Sequence, residues 1–293
     1  MRRGVVGVAI FVAAYAGLIT LYAVTGMGPP HPVNDGRQAG DGTTVTVDIE
    51  GIQPYRSVLV ANLTVTPGQA LLDPQTGTLK EDLTVSVTSA ATPATHSWPK
   101  GTQPGVFPVP LNINGDVSDW PLDSYRSGPI SVDLYRGGAR PPERQSVTFV
   151  DRLPGWKVQV SDGPATGVPA PYRVQVERSP STVALAVVLL GVLVTLAAIA
   201  LFVAVQTARG RRKFQPPMAT WFAAMLFAVM PLRNALPDSP PFGAWIDVTI
   251  VVWVIVALVT AMTLYISCWW RHLAPGYDEQ AKPVVEPRSA ERE

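Results

Sequence analysis

The sequence is short of charge, of cysteine and of histidine, and each shortage closes off a class of protein. Only 15% of its 293 residues are charged, against about 25% in ordinary soluble domains. A water-soluble globule is therefore a poor fit. The formal net charge of +1 provides no concentrated basic face, so nucleic acid is not a partner to expect. The one cysteine, Cys268, rules out an intrachain disulfide, and any exported domain must hold together by packing and hydrogen bonds. The 3 histidines, His31, His96 and His272, fall in separate regions. There is no G-x-S-x-G elbow, no phosphate loop, no H-E-x-x-H and no cysteine pair. The chain is expected to be no enzyme, with no catalytic residues, no cofactor and no dedicated metal centre.

What the sequence has is segregation. Its 29 prolines and 24 glycines lie mostly between long uncharged apolar runs. The first run, Val5 to Val24, follows Met1-Arg2-Arg3. It exceeds the roughly 7–15 residues of a signal-peptide core and reads as an uncleaved anchor. Ala9, Ala13 and Gly17 form a small-residue ladder along it that permits close helix approach. Thr182–Val205, at about 1.5 Å per residue, outspans a hydrocarbon core of roughly 30 Å. Two further runs follow, a shorter one that meets Pro231 and Arg233, and a long one from Val248 to Trp270.

The reading is four transmembrane helices, at 1–25, 181–207, 217–236 and 248–270. A linker at 26–42 and a β-rich domain at 43–180 separate the first helix from the other three, which form a C-terminal bundle. A basic loop at 208–216, an outer loop at 237–247 and a disordered tail at 271–293 complete the plan. Arg2 and Arg3, the cluster Arg209–Lys213, and Arg271 then share one side, which the positive-inside rule makes cytoplasmic. Both termini are expected inside the cell and residues 26–180 outside it, in a multi-pass plasma-membrane protein. Trp221, Trp245, Trp269 and Trp270 lie near the ends of spans, where amphipathic rings favour the interface.

Inside the β-rich stretch, alternation of period two marks strands at Thr43–Glu50, Ser57–Thr66, Leu83–Thr88, Ile130–Tyr135, Ser146–Val150, Trp156–Ser161 and Tyr172–Glu177. Short strands with turn residues between them, and no amphipathic helix, predict an antiparallel β-sandwich. The fold class is thus a β + α membrane protein.

Two constellations carry polar chemistry. In Asn112–Tyr125, the oxygen-bearing side chains of Asn112, Asn114, Asp116, Asp119 and Asp123 are weak candidates for a hard cation. The spacing departs from an EF-hand, and Pro121 interrupts it. The competing reading is a structured turn bonding its own backbone, with Trp120, Leu122 and Tyr125 packed into the sandwich. The second constellation is Arg233 and Asn234, followed by Asp238 and Asp247. A guanidinium at membrane depth is costly and seeks a carboxylate or a watery cavity, so Asp247 and Asp238 are its candidate partners. Pro231 frees a backbone carbonyl that Asn234 could satisfy.

These same stretches, Phe107-Pro108-Val109-Pro110-Leu111-Asn112 through Trp120-Pro121-Leu122-Asp123-Ser124-Tyr125, and Met230-Pro231-Leu232-Arg233-Asn234 through Asp247, carry a resemblance. The chain resembles actinobacterial membrane proteins of the family catalogued as domain of unknown function 4436. The resemblance implies a plasma-membrane protein of this layout and brings no activity, ligand or catalytic residues. Leu122 stands where that family's proline–aromatic–aspartate motif has its ring.

The function expected on these grounds is binding or interaction in the cell envelope, through an exported domain that contacts an envelope protein or cell-wall component. Besides the lipid bilayer, a further expected partner is a second copy through the transmembrane helices. The alternative is a channel, transporter or ligand-responsive sensor gated by the β domain.

Overall fold

The computed structural model describes residues 2–25, 29–36, 42–90, 94–137, 143–161, 171–212, 215 and 217–272. Of the tail expected at 271–293, residues 271 and 272 are the end of a helix and the remainder lies outside the described residues, as do parts of the linker and of the basic loop. The chain forms two compact units, residues 1–187 with 240–245, and residues 188–239 with 246–293.

The first unit is built from strands whose inward residues are β-branched or aliphatic. They are β1 (His31–Pro32), β2 (Thr44–Gln53), β3 (Val58–Thr66), β4 (Leu83–Val87), β5 (Ala94–Trp98), β6 (Phe107–Asn114), β7 (Ser124–Ser127), β8 (Val132–Arg136), β9 (Glu143–Gln145), β10 (Val147–Asp151), β11 (Trp156–Ser161) and β12 (Arg173–Arg178). A curled 8-stranded sheet runs in the order β1-β10-β2-β3-β6-β7-β12-β11, and a 4-stranded sheet in the order β5-β4-β8-β9. Both contribute to one core. Val45, Val47 and Ile49 of β2, Leu59 and Leu63 of β3, Leu83 and Val85 of β4, Val132 and Leu134 of β8 and Phe149 of β10 are all buried in it. Each such side chain contributes about 1.5–3 kcal/mol relative to exposure, which is how a domain without disulfides is held.

The expectation of a purely antiparallel sandwich is corrected at one place. β10 lies parallel to β2, with Val147 opposite Val45 and Phe149 opposite Val47. Alternation reports which face of a strand is buried, and that pattern is the same for either direction of a neighbour. Direction was therefore invisible in it.

β6 was not foreseen as a strand because it holds Pro108 and Pro110. The ladder explains how it tolerates them. Pro108 and Pro110 stand opposite Asn62 and Val60 of β3, and the amide of Asn112 turns away from β3 to the carbonyl of Ser89. In the alternation of an antiparallel strand, positions 108 and 110 share that outward side. β7 pairs with β6 only at Ile113 and Asn114, so no ladder bond is lost where the prolines lack an N–H.

Helix α1 (Arg2–Thr25) precedes the strands, and α2 (Pro180–Ala208) follows them. The start of α2 is set locally. Ser179 caps it, its hydroxyl accepting the amide of Thr182 at 3.3 Å, and Pro180 occupies the first helical position, where no N–H is needed. The amide of Ser179 and the hydroxyl of Thr182 both donate to the carbonyl of Gly155, at 3.0 and 2.9 Å. The first turns of α2, up to Val187, belong to the β-rich unit.

The second unit holds the rest of α2, then α3 (Met218–Asn234), and a π-helical turn, Asp247–Val251, that leads into α4 (Val252–His272). α3 and α4 pack together through Phe222 and Tyr265, whose ring centroids are 5.0 Å apart. The Tyr265 hydroxyl donates to the Gln215 carbonyl. Among the described residues two helices are long and apolar enough to cross a membrane, Pro180–Ala208 and Asp247–Cys268. Only 28% of either apolar window is buried, and Val194, Phe202, Trp253 and Val259 stand exposed along them. α1 has 24 residues and α3 has 17.

Candidate functional site

The segment 112–125 does not gather its oxygens. Asn112 and Asn114 lie on β6 with exposed side chains. Asp116 turns back on its own backbone, accepting the amide of Ser118 at 2.9 Å and that residue's hydroxyl as well. Those two bonds, the hydroxyl's first, hold the Asp116 carboxyl below its ordinary range. Asp119 closes a short 3-10 turn, Val117–Asp119. Asp123 points the other way, into the core. Among the described residues no group of three acidic, histidine or cysteine side chains is arranged to hold a metal. Leu122, expected to pack inward, is 76% exposed, whereas Trp120 and Tyr125 are buried as expected. The Trp120–Pro121 peptide is cis.

Asp123 is the centre of the buried polar chemistry. It meets Arg178, with side-chain exposures of 0% and 3%. Nε of Arg178 donates to Oδ1, and Nη2 donates to Oδ2 at 3.2 Å, a bidentate fork that fits a planar guanidinium. The Tyr125 hydroxyl donates to Oδ2 at 3.0 Å. The guanidinium lies 4.3 Å from the ring centroid of Trp156 and 5.9 Å from that of Trp120. Trp156 in turn meets Tyr125 edge to face at 5.9 Å. The charge of Arg178 is thus sandwiched between a carboxylate and aromatic faces. Burial, and after it the charge of Asp123, pushes the Tyr125 phenol well above the ordinary tyrosine range.

Strand geometry puts these groups together. β12 carries Val174, Val176 and Arg178 on its buried face. It pairs with β7 so that Tyr125 sits opposite Val176, and with β11 so that Trp156 sits opposite Arg178. The sequence reading ended its last strand at Glu177 and passed over Arg178. The signal was there: continuing the alternation by one step puts a cation on the apolar face, and such a group demands a partner.

In the second unit, the expected ion pair exists with Asp247. Nε of Arg233 donates to Oδ1 at 3.1 Å and Nη2 to Oδ2 at 2.9 Å, with side chains 3% and 13% exposed. Asp247 is presented by the first residue of the π-helical turn. Asp238 takes a left-handed backbone conformation, φ 49°, in the turn after α3. The carbonyl that Pro231 leaves without its helical donor is that of Phe227, one turn earlier. The Asn234 carbonyl receives the Ser239 hydroxyl, and the Pro231 carbonyl accepts the amide of Ala235.

Each pair is a guanidinium locked onto a carboxylate, an arrangement that fixes geometry. Residues 33–176 match the family model described as Domain of unknown function (DUF4436), and residues 178–272 match Domain of unknown function (DUF8686). The chain carries both domains. No curated protein matches it. Asp123 falls within the first match and Arg178 is the first residue of the second, so this ion pair ties one family domain to the other.

Proposed function

We propose that this DUF4436 protein is a multi-pass plasma-membrane protein whose β-rich unit lies outside the cytoplasm and serves as a binding module of the cell envelope. The observation that carries the reading is the pair of long helices, α2 and α4, whose apolar surface is left largely uncovered. Exposed valine, phenylalanine and tryptophan along 22 to 29 residues are stable against lipid and unstable against water. α1 supplies a third span and α3 a fourth, with α2, α3 and α4 forming the C-terminal bundle. Arginines at 209, 211 and 212, after α2, orient that end toward the cytoplasm. A β-rich unit tethered by helices at both chain ends suits presentation of a surface to an envelope protein or cell-wall component.

The test is thiol labelling of intact cells in a Cys268→Ala background. Cysteines placed at Ser118 and Ser239 should react with a membrane-impermeant reagent, and one placed at Arg211 only after permeabilisation. Labelling of Arg211→Cys in intact cells would reverse the orientation.

A second reading is a ligand-responsive channel or sensor. The observation in its favour is that Arg178, held by Asp123, stands two residues before the first residue of α2, Pro180. A ligand that moved the 112–125 segment would pull on a helix start. Reconstituted bilayers that conduct, and lose conductance in Asp123→Asn, would move the assignment to this reading.

A further inference from the structure

A cleft of about 440 Å³ opens in the β-rich unit. Its wall includes Val24 and Thr25 at the end of α1, and Ser179 and Pro180 at the start of α2. Both passages between strands and apolar helices therefore border it. On the membrane reading above, on which this inference rests, that position is headgroup depth. One side is apolar, formed by Val24, Leu153 and Pro154. The other is polar, with His31 and the cations Arg152 and Lys157 on the lining.

The cations are not equivalent. Arg152 is engaged by Asp48 at 2.7 Å. Lys157 is exposed on β11 and has no ion pair among the described residues. Its cross-strand neighbour Glu177 instead receives a hydrogen bond from Gln175. The lining carboxylate, Asp151, does not compete for a ligand's cation. It is buried, and its two oxygens accept the amides of Leu153 and Val158 at 2.9 and 3.2 Å. What remains is an ammonium without an ion-pair partner among the described residues, beside an apolar wall.

We propose that this cleft binds one anionic phospholipid, its phosphate held by Lys157 and its glycerol and first acyl carbons laid against Val24, Leu153 and Pro154. A free phosphate would satisfy the ammonium and leave the apolar wall bare. A zwitterionic lipid brings its own cation to a rim that already holds Arg152 and Lys157.

The experiment uses the full chain, purified in mild detergent and stripped of lipid, with binding read by native mass spectrometry. Phosphatidylglycerol should bind about tenfold more tightly than phosphatidylcholine, and Lys157→Glu should abolish that preference while Lys157→Arg retains it. Millimolar inorganic phosphate should displace nothing. Because Lys157 is exposed, both variants should melt with the parent; if Lys157→Glu does not, Lys157→Gln takes its place, with the same loss of preference expected. Equal binding of the two lipids, an undiminished preference in the charge-removing variant, or displacement by phosphate alone would overturn the proposal. Failure of the membrane reading would be seen separately, as release of the chain from membranes by alkaline carbonate.

Discussion

Arg178 and Asp123 face each other inside the β-rich unit, joined by a two-point fork and capped by the hydroxyl of Tyr125. Two buried charges are costly to desolvate, so removing one partner is worse than removing both. Arg178→Met should destabilise the unit by about 3–5 kcal/mol, and the double change Arg178→Met with Asp123→Leu should recover most of the loss. Thermal melts of the β signal by circular dichroism, on the full chain in detergent, decide this. A double variant no better than the single one would show that the pair is not the source of the effect.

The phenol of Tyr125 makes the same network sensitive to alkali. Its pKa in the fold is raised above the value in the unfolded chain, which is about 10. The unfolded chain therefore gives up this proton first. The contribution of Tyr125 is intact below pH 9 and declines above about pH 10, with a slope no steeper than about 1.4 kcal/mol per pH unit. Tyr125→Phe should be less stable than the parent at neutral pH and should narrow that gap as the pH rises from about 10 to 12. Parallel curves for the two proteins would refute the assignment.

Gly115 is a steric prediction. A Cβ added there would lie 2.3 Å from the Ser124 carbonyl oxygen and 2.5 Å from a ring carbon of Tyr125. Backbone cannot yield as a flexible side chain does. Gly115→Ala should therefore cost about 1–3 kcal/mol, whereas Leu122→Ser, at an exposed position, should stay within about 0.5 kcal/mol of the parent. Denaturant midpoints of the two variants measure the contrast.

In the second unit, Arg233→Ala leaves Asp247 without its guanidinium, and Asp247→Ala does the converse. Each should lower the melting temperature of the full chain in detergent by the equivalent of about 3–5 kcal/mol. The exchange of both, Arg233→Asp with Asp247→Arg, should restore part of it. An exchange that melts no higher than either single variant would mean that the surroundings, and not the pair, set the stability.

Much of this architecture was legible in the residues. β2, β3, β4, β8, β10, β11 and β12 fall on the alternating stretches, because one buried face imprints period two on the chain. The strands that escaped have physical reasons. β6 carries prolines at positions where, among the described residues, no strand pairs on their outer side, β5 places three exposed residues in a row between Ala94 and Trp98, and β9 is 3 residues long. Of the two polar constellations, Arg233 with Asp247 could be anticipated, since a cation near an apolar run has few partners within reach. Asp123 with Arg178 could not, because its members are far apart in sequence and meet only through the pairing of β7 with β12. In Asn112–Asp123 the weak cation candidates stood beside a self-bonded turn, and Asp116 holding Ser118 is that turn; a list of oxygens in sequence does not say which side of a strand each one leaves from.

The parallel seat of β10 beside β2 also governs how the unit can be made. Emerging from the ribosome in chain order, β2 and β3 are complete long before Val147 arrives to cover Val45. Until then β2 presents an unpaired edge of backbone N–H and C=O groups to whatever else is nearby. A product stopped short of β10 would keep that edge open, a template for aggregation.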